Sequence, residues 1–261
     1  MGNRKWWVYI LIFFISQFAA VALPFGLRAF GIGFSGSMFM SIALLMANLL
    51  AIVFFLLYRP AEVTWPATLS GLRGHNLRRS VLVFLLAIPT CLLVNLIQEA
   101  FFPDIPNLVG EETFKDLMFN PLGLITIAVI GPLSEELLFR GGVLTSIHQK
   151  YASQGPASAI AFSAVLFALI HLNPAQMPAA FILGLLLGFA YWWTGSLAAP
   201  VCIHVFNNSF ACLLAYLSPD DDSLVAFLGG NEGATIAAIV SVFALVLLFR
   251  QIRAEEHQKE M

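Results

Sequence analysis

What most constrains this chain is that its apolar residues come in blocks about as long as a membrane is thick. "WWVYILIFFISQFAAVALPFG" opens the chain, "MFMSIALLMANLLAIVFFLLY" follows, and "SVLVFLLAIPTCLLVNLI" comes third. A helix of about 20 apolar residues crosses a hydrocarbon core about 30 Å thick. It also pairs its backbone groups internally, where no water can do so. Charge is correspondingly scarce. Only 11% of the 261 residues are charged and 59% are apolar, whereas a soluble domain carries about 25% charge. The chain therefore reads as an all-α polytopic membrane helix bundle.

Eight spanning segments are expected, at about 6–27, 35–58, 79–101, 121–149, 157–172, 176–194, 197–217 and 234–250. The fifth is short, and suits burial among its neighbours. No internal repeat, low-complexity tract or soluble insert divides residues 1–261, which read as one integral membrane domain. Arg4, Lys5 and the apolar run ending at Ala20-Val21-Ala22 imitate a cleavable signal peptide. The run is longer than such a region usually is, and Pro24 follows closely, so a retained first helix is expected. Cys91, Cys202 and Cys212 lie in apolar runs without CxxC spacing and read as packing residues.

The basic residues set an orientation. With a cytoplasmic N-terminus, eight spans place Arg4, Lys5, Arg59, Arg73, Arg78, Arg79, Lys150, Arg250, Arg253 and Lys259 inside, and Arg28 and Lys115 outside. Arg140 stays in the membrane, and the acidic connections "PDIPNLVGEETFKD" and "SPDDDS" fall outside. This positive-inside bias implies a multi-pass protein of the plasma (inner) membrane with both termini cytoplasmic. The bilayer is thus an expected partner. No basic arm or stripe suggests nucleic acid.

An ionisable side chain within a spanning helix costs about 2.5–3.5 kcal/mol on insertion scales and marks function by default. The chain has few: Glu135, Glu136 and Arg140 in segment four, His171 in segment five, and His204 with Asn208 in segment seven. Asn48 and Asn95 read as helix–helix hydrogen bonds, and His75, His148 and His257 as solvated residues. Glu136 and Arg140 are four apart and share a face. Glu135 is turned about 100° from Glu136. His204 and Asn208 share a face in turn, and Phe167 lies one turn before His171. At about 1.5 Å per residue, Glu135 and His171 lie roughly 20–25 Å from the cytoplasmic ends of their segments, and His204 with Asn208 roughly 12–18 Å. All four can converge in one cavity, and Pro132 should loosen the helix just before the acids.

Such a set suits hydrolysis by activated water. Glu135 would accept a proton from water that His171 helps to hold, while His204 and Asn208 would donate to the oxyanion of a tetrahedral intermediate. Glu136, paired with Arg140, would hold the helix and orient an imidazole. This mechanism needs no cofactor. His171, His204 and Glu135 would equally serve as ligands of a catalytic zinc ion, although no HExxH is present. Each residue alone would also fit a structural hydrogen bond.

In order along the chain, "EELLFRG", "FALIH" and "HVFNN" resemble the three motifs of the CPBP family of intramembrane proteases, the CAAX proteases and bacteriocin-processing proteins. These motifs are EExxxR, FxxxH and HxxxN, met here as Glu135-Glu136 with Arg140, Phe167 with His171, and His204 with Asn208. The lead-in "TGSLAAPVCIH" is also similar. The resemblance covers about 121–210. It implies an intramembrane endopeptidase with Glu135 as base, His171 as its water-binding partner, and His204 with Asn208 as oxyanion site. It further implies a peptide substrate or a lipidated or membrane-anchored protein tail. Family members have often been called metalloproteases. From a different class, a transporter or a bacteriocin immunity factor is the alternative. A transporter tends to show repeated halves, and none is visible here.

Overall fold

The structure is a computed structural model that describes residues 5–31, 36–64, 68–101, 105–106, 108, 111–217 and 223–260. Among the described residues, ten helices follow one another, short 3-10 turns aside: α1 (Trp6–Ala29), α2 (Gly36–Tyr58), α3 (Gly74–Phe101), α4 (Glu111–Met118), α5 (Pro121–Lys150), α6 (Pro156–Leu169), α7 (Met177–Thr194), α8 (Ala198–Leu217), α9 (Leu224–Phe227) and α10 (Asn231–Glu260). No strand occurs among the described residues. Six helices, α2, α3, α5, α7, α8 and α10, are long and apolar enough to cross a membrane. The fifth expected segment forms a shorter apolar helix, α6, and the first lies in the 24-residue α1, whose apolar stretch runs over Trp6–Ala22. The chain is an integral multi-pass membrane protein.

Local sequence sets the helix ends. The Asn120 side chain accepts from the Leu122 amide and Pro121 opens α5, a combination that serves the unpaired first turn. Pro156 likewise opens α6. Gly195 takes the left-handed conformation (φ 66°) that closes α7, its N–H bonded to the Tyr191 carbonyl. Beyond the apolar helices, α9 is held from α3. Glu99 accepts from the Leu224 amide at 3.0 Å and from the Ser223 hydroxyl, placing a carboxylate at a helix N-terminus.

Helix α5 is the hub, contacted by α1, α2, α6, α7 and α8. Of its most apolar window 56% is buried, against 11% for α10, which packs on α3 at the periphery. Two adjacent glycines let α5 be approached closely. The Phe55 ring of α2 lies where a Cβ on Gly141 would come within 2.9 Å, and the Tyr9 ring of α1 where one on Gly142 would come within 2.5 Å. Tyr9, Phe55, Phe139, Phe167 and Leu138 fill the core there.

Several expectations change. Segment five is not sequestered, because α6 buries Ala159, Ala164 and Phe167 but exposes Phe162, Val165 and Leu169. It also ends at Leu169, so His171 lies in the following turn, whose amide bonds the Ala168 carbonyl at 3.3 Å. The eighth expected segment forms α10, which runs on to Glu260. Arg79, counted with the loops, is buried. It donates to the Trp193 carbonyl at 3.4 Å and lies 5.5 Å from that ring. His148 is half-buried, edge-on to Trp192 at 4.6 Å. Of the cysteines only Cys212 is buried; Cys91 is intermediate and Cys202 exposed. Residues 102–104 and 218–222, which include Asp104, Asp220, Asp221 and Asp222 of the acidic connections, together with Arg4 and the side chains of Arg28, His75, His257 and Lys259, lie outside what the structure describes.

Gly142→Ala should lower the thermal midpoint of the purified protein, because a methyl group there must displace a buried tyrosine ring. Overpacking of this kind costs about 1–3 kcal/mol. Shrinking the ring as well, in Gly142→Ala with Tyr9→Leu, should recover part of the loss; thermal unfolding in detergent measures both.

Candidate active site

The site starts from two wide turns in α5, where bonds run from residue i to i+5 over Thr126–Ile130 and Leu137–Leu144. Such π turns often mark functional sites. Here the first has a visible cause. Pro132 has no N–H, so it cannot bond back into the preceding turn. The Gly131 amide reaches the Thr126 carbonyl instead, and the Ile127 carbonyl receives nothing from Pro132. Asn208 of α8 takes that carbonyl, donating from Nδ2 at 3.1 Å. A proline in one helix thereby fixes an amide on another. The second turn is tied by Thr145, whose hydroxyl donates to the Arg140 carbonyl at 2.8 Å.

Between the wide turns, Gly131–Glu136 is ordinary α-helix, and the two adjacent acids face different surroundings. Glu136 is fully buried. Its Oε1 accepts from Arg140 Nη1 at 2.9 Å and from His204 Nδ1 at 2.8 Å. An ionised carboxylate only accepts, so Nδ1 carries the proton and His204 presents Nε2 to the other side. Arg140, also fully buried, donates from Nη2 to the Gly184 carbonyl of α7 at 3.1 Å. Its guanidinium lies 4.6 Å from the centre of the Phe167 ring, a cation–π contact strengthened by the absence of water. Glu136 Oε2 and Arg140 Nε are sealed without a hydrogen-bond partner. Glycine at 184 lets α7 pack closely on α6, since a Cβ there would meet the Ala164 backbone at 3.0 Å.

Glu135 turns the other way, with 22% of its side chain exposed and Oε2 at 3.8 Å from His204 Nε2. It faces a cavity of about 610 Å³ whose wall also includes Phe167, His171, His204 and Asn208. His171 Nδ1 is 2.8 Å from the Phe167 carbonyl. A carbonyl only accepts, so that nitrogen donates and Nε2 is left unprotonated in the neutral ring. Phe167 orders both imidazoles, lying edge-on to His171 at 5.0 Å and to His204 at 5.6 Å between ring centres. The structure therefore gathers Glu135, His171, His204 and Asn208 on one cavity and leaves Glu136 and Arg140 behind its wall. Among the described residues, no three His, Cys, Asp or Glu side chains are placed to hold a metal ion. His171, His204 and Glu135 do not form a ligand set in this geometry.

Some supporting groups carry no sequence signal. Asn173 is fully buried in the His171 turn and accepts from the Leu108 amide at 3.0 Å. Gln98 of α3 donates to the Ala175 carbonyl at 2.7 Å. Carbonyls of Ile127 and Gly184 belong to no side-chain pattern. Asn48 does bridge helices, accepting from the Ser134 hydroxyl. Asn95 instead bonds Cys91 within its own helix at 2.7 Å and lines the cavity.

Residues 118–210 match the Rce1-like family, described as type II CAAX prenyl endopeptidase Rce1-like. Over 103 residues the chain is 30% identical to "Membrane-embedded CAAX protease MroQ" of Staphylococcus aureus (strain USA300), covering 38% of this chain and 42% of that protein. Over 247 residues it is 21% identical to "Putative membrane peptidase YdiL" of Bacillus subtilis (strain 168), covering 87% of this chain and 98% of that protein. The resemblance carried by the three motifs is thus borne out over the segment that bears them. No solved structure gave a significant match.

Arg140→Leu should be strongly destabilising, because it leaves the sealed Glu136 carboxylate without its cation. Breaking a buried pair from one side costs about 3–5 kcal/mol. Denaturant unfolding, or the yield of folded protein in detergent, should register it.

Proposed function

We propose that the protein is an intramembrane endopeptidase that hydrolyses a peptide bond in a membrane-associated peptide or protein tail, using water activated by Glu135. The observation that carries this reading is the division of labour between the adjacent acids. Glu136 is closed in by Arg140 and His204, while Glu135 opens onto the cavity shared with His171, His204 and Asn208. The family match over 118–210 supports the same reading.

In the proposed reaction, a water molecule lies between Glu135 and His171 Nε2. Glu135 accepts one of its protons as the oxygen attacks the substrate carbonyl carbon. The carbonyl oxygen becomes an oxyanion and receives hydrogen bonds from Asn208 Nδ2 and from His204 in its imidazolium form. Asn208 spends one N–H on Ile127, which leaves the other for this task. The proton held by Glu135 then passes to the departing amine, the C–N bond breaks, and a carboxylic acid and an amine leave. Glu136 acts through His204, holding Nδ1 so that Nε2 faces the cavity. The charge pattern further supports a plasma-membrane location with both termini cytoplasmic.

Glu135→Ala, in protein that reaches the membrane at normal level, should reduce cleavage about 10²–10⁴-fold, as losing a general base does. Retained activity would remove Glu135 from this role. Asn208→Ala should cost about 10²–10³-fold for the loss of one oxyanion donor. Active purified protein should contain no stoichiometric zinc by elemental analysis; zinc that tracks activity would replace this mechanism with a metal one. Pro132→Ala restores an N–H that competes with Asn208 for the Ile127 carbonyl. It should lower kcat by about 10–100-fold through misplacement of the amide, with the fold intact by circular dichroism.

A further inference from the structure

Beyond the four reactive groups, the cavity wall is distinctive in its charge and its free polar atoms. Among the described residues no lysine or arginine lines it, and Glu135 is its one acid. Arg140, a few residues along α5, is fully buried behind the wall and committed to Glu136 and Gly184. The remaining polarity is largely carboxamide, from Asn48, Asn95, Gln98, Gln176, Asn207 and Asn208.

Several of these carboxamides keep hydrogen-bonding capacity. Asn95 uses only Nδ2, on the Cys91 carbonyl. Gln98 uses Nε2 on Ala175, and its Oε1 is buried without a partner. Asn207 uses Nδ2 on Asn208. The spare acceptors thus come from α3 and α8, on the wall of the cavity that Glu135 faces. An extended peptide carries one N–H and one C=O per residue, and within a membrane each needs a partner. Neutral carboxamides offer both donor and acceptor without a charge.

A carboxylate entering the same space would meet Glu135, while the one cation that the proposed reaction puts on the wall, the His204 imidazolium, is already held between Glu136 at 2.8 Å and Glu135 at 3.8 Å. Like charges at close quarters disfavour ionisation, and an unpaired charge out of water is strongly disfavoured. From the proteolytic reading together with this wall, we infer that the cavity selects an uncharged stretch of polypeptide, gripped through its backbone, and excludes a free C-terminal carboxylate. The scissile bond then lies within a chain, or far enough from its end that the terminal carboxylate stays outside the cavity.

The test uses the full-length protein in nanodiscs and acetylated apolar hexapeptides, each made with a C-terminal amide and with a C-terminal free acid. Hexapeptides are short enough that the terminus must enter with the rest. Binding and cleavage are read separately. The amide forms should bind more tightly by at least about 10-fold, the effect of one unfavourable charge. Asn95→Lys, which puts a cation on the wall, should bring the acid forms level or ahead. Equal or tighter binding of the acid forms by wild type overturns the inference, and so does binding of neither form. A farnesylated peptide with a free carboxylate that binds better than its amide overturns it too. Preferred binding of the amides with no cleavage of any peptide sustains the inference and removes the proteolytic reading.

Discussion

The structure depends on one ion pair held out of water. Glu136 and Arg140 sit four residues apart on α5, both fully buried, where an isolated charge of either sign would be prohibitive. Their attraction is not sufficient by itself. It is completed by the Gly184 carbonyl from α7, the Phe167 ring from α6 and the His204 imidazole from α8. Three neighbouring helices thus contribute to one compensation on a fourth. The relative placement of α5, α6, α7 and α8 follows from where those partners must be, and with it the position of every group on the cavity wall.

That arrangement also separates what must be fixed from what must be accessible. His204 joins the two halves, giving one ring nitrogen to the sealed Glu136 and the other to the cavity beside Glu135. Phe167 performs a parallel service, with its carbonyl on His171 and its ring against Arg140 and both imidazoles. Orientation comes from the dry side of the wall, and chemistry is proposed for the wet side.

Much of this was legible in the sequence because membrane insertion makes polar residues conspicuous. Glu135, Glu136, Arg140, His204 and Asn208 stand out against an apolar background, and helical spacing sorts them onto faces. The eight expected apolar segments emerge as helices for the same reason, α6 being the shortest of them at 14 residues. Less visible were features that depend on backbone. His171 reads as helical because its turn is as apolar as the helix before it, yet α6 stops at Leu169. The partner of Asn208 is a carbonyl orphaned by a proline five residues along, and the partner of Arg140 is the backbone carbonyl of Gly184. Arg79 counts as a loop charge until the Trp193 ring and carbonyl are seen to cover it.

The glycine pair of α5 bears on how the protein is assembled as well as how it packs. Tyr9 and Phe55 belong to the first two helices, which leave the ribosome long before Gly141 and Gly142. These two helices pack extensively on each other, with the Tyr9 and Phe55 ring centres 6.1 Å apart. Helices in lipid associate through close contact at small residues. The glycines then act as a slot by which the late helix finds its depth and rotation against an earlier pair. The N-terminal hairpin, which carries none of the proposed reactive groups, is in that sense the template on which the reactive helix is set.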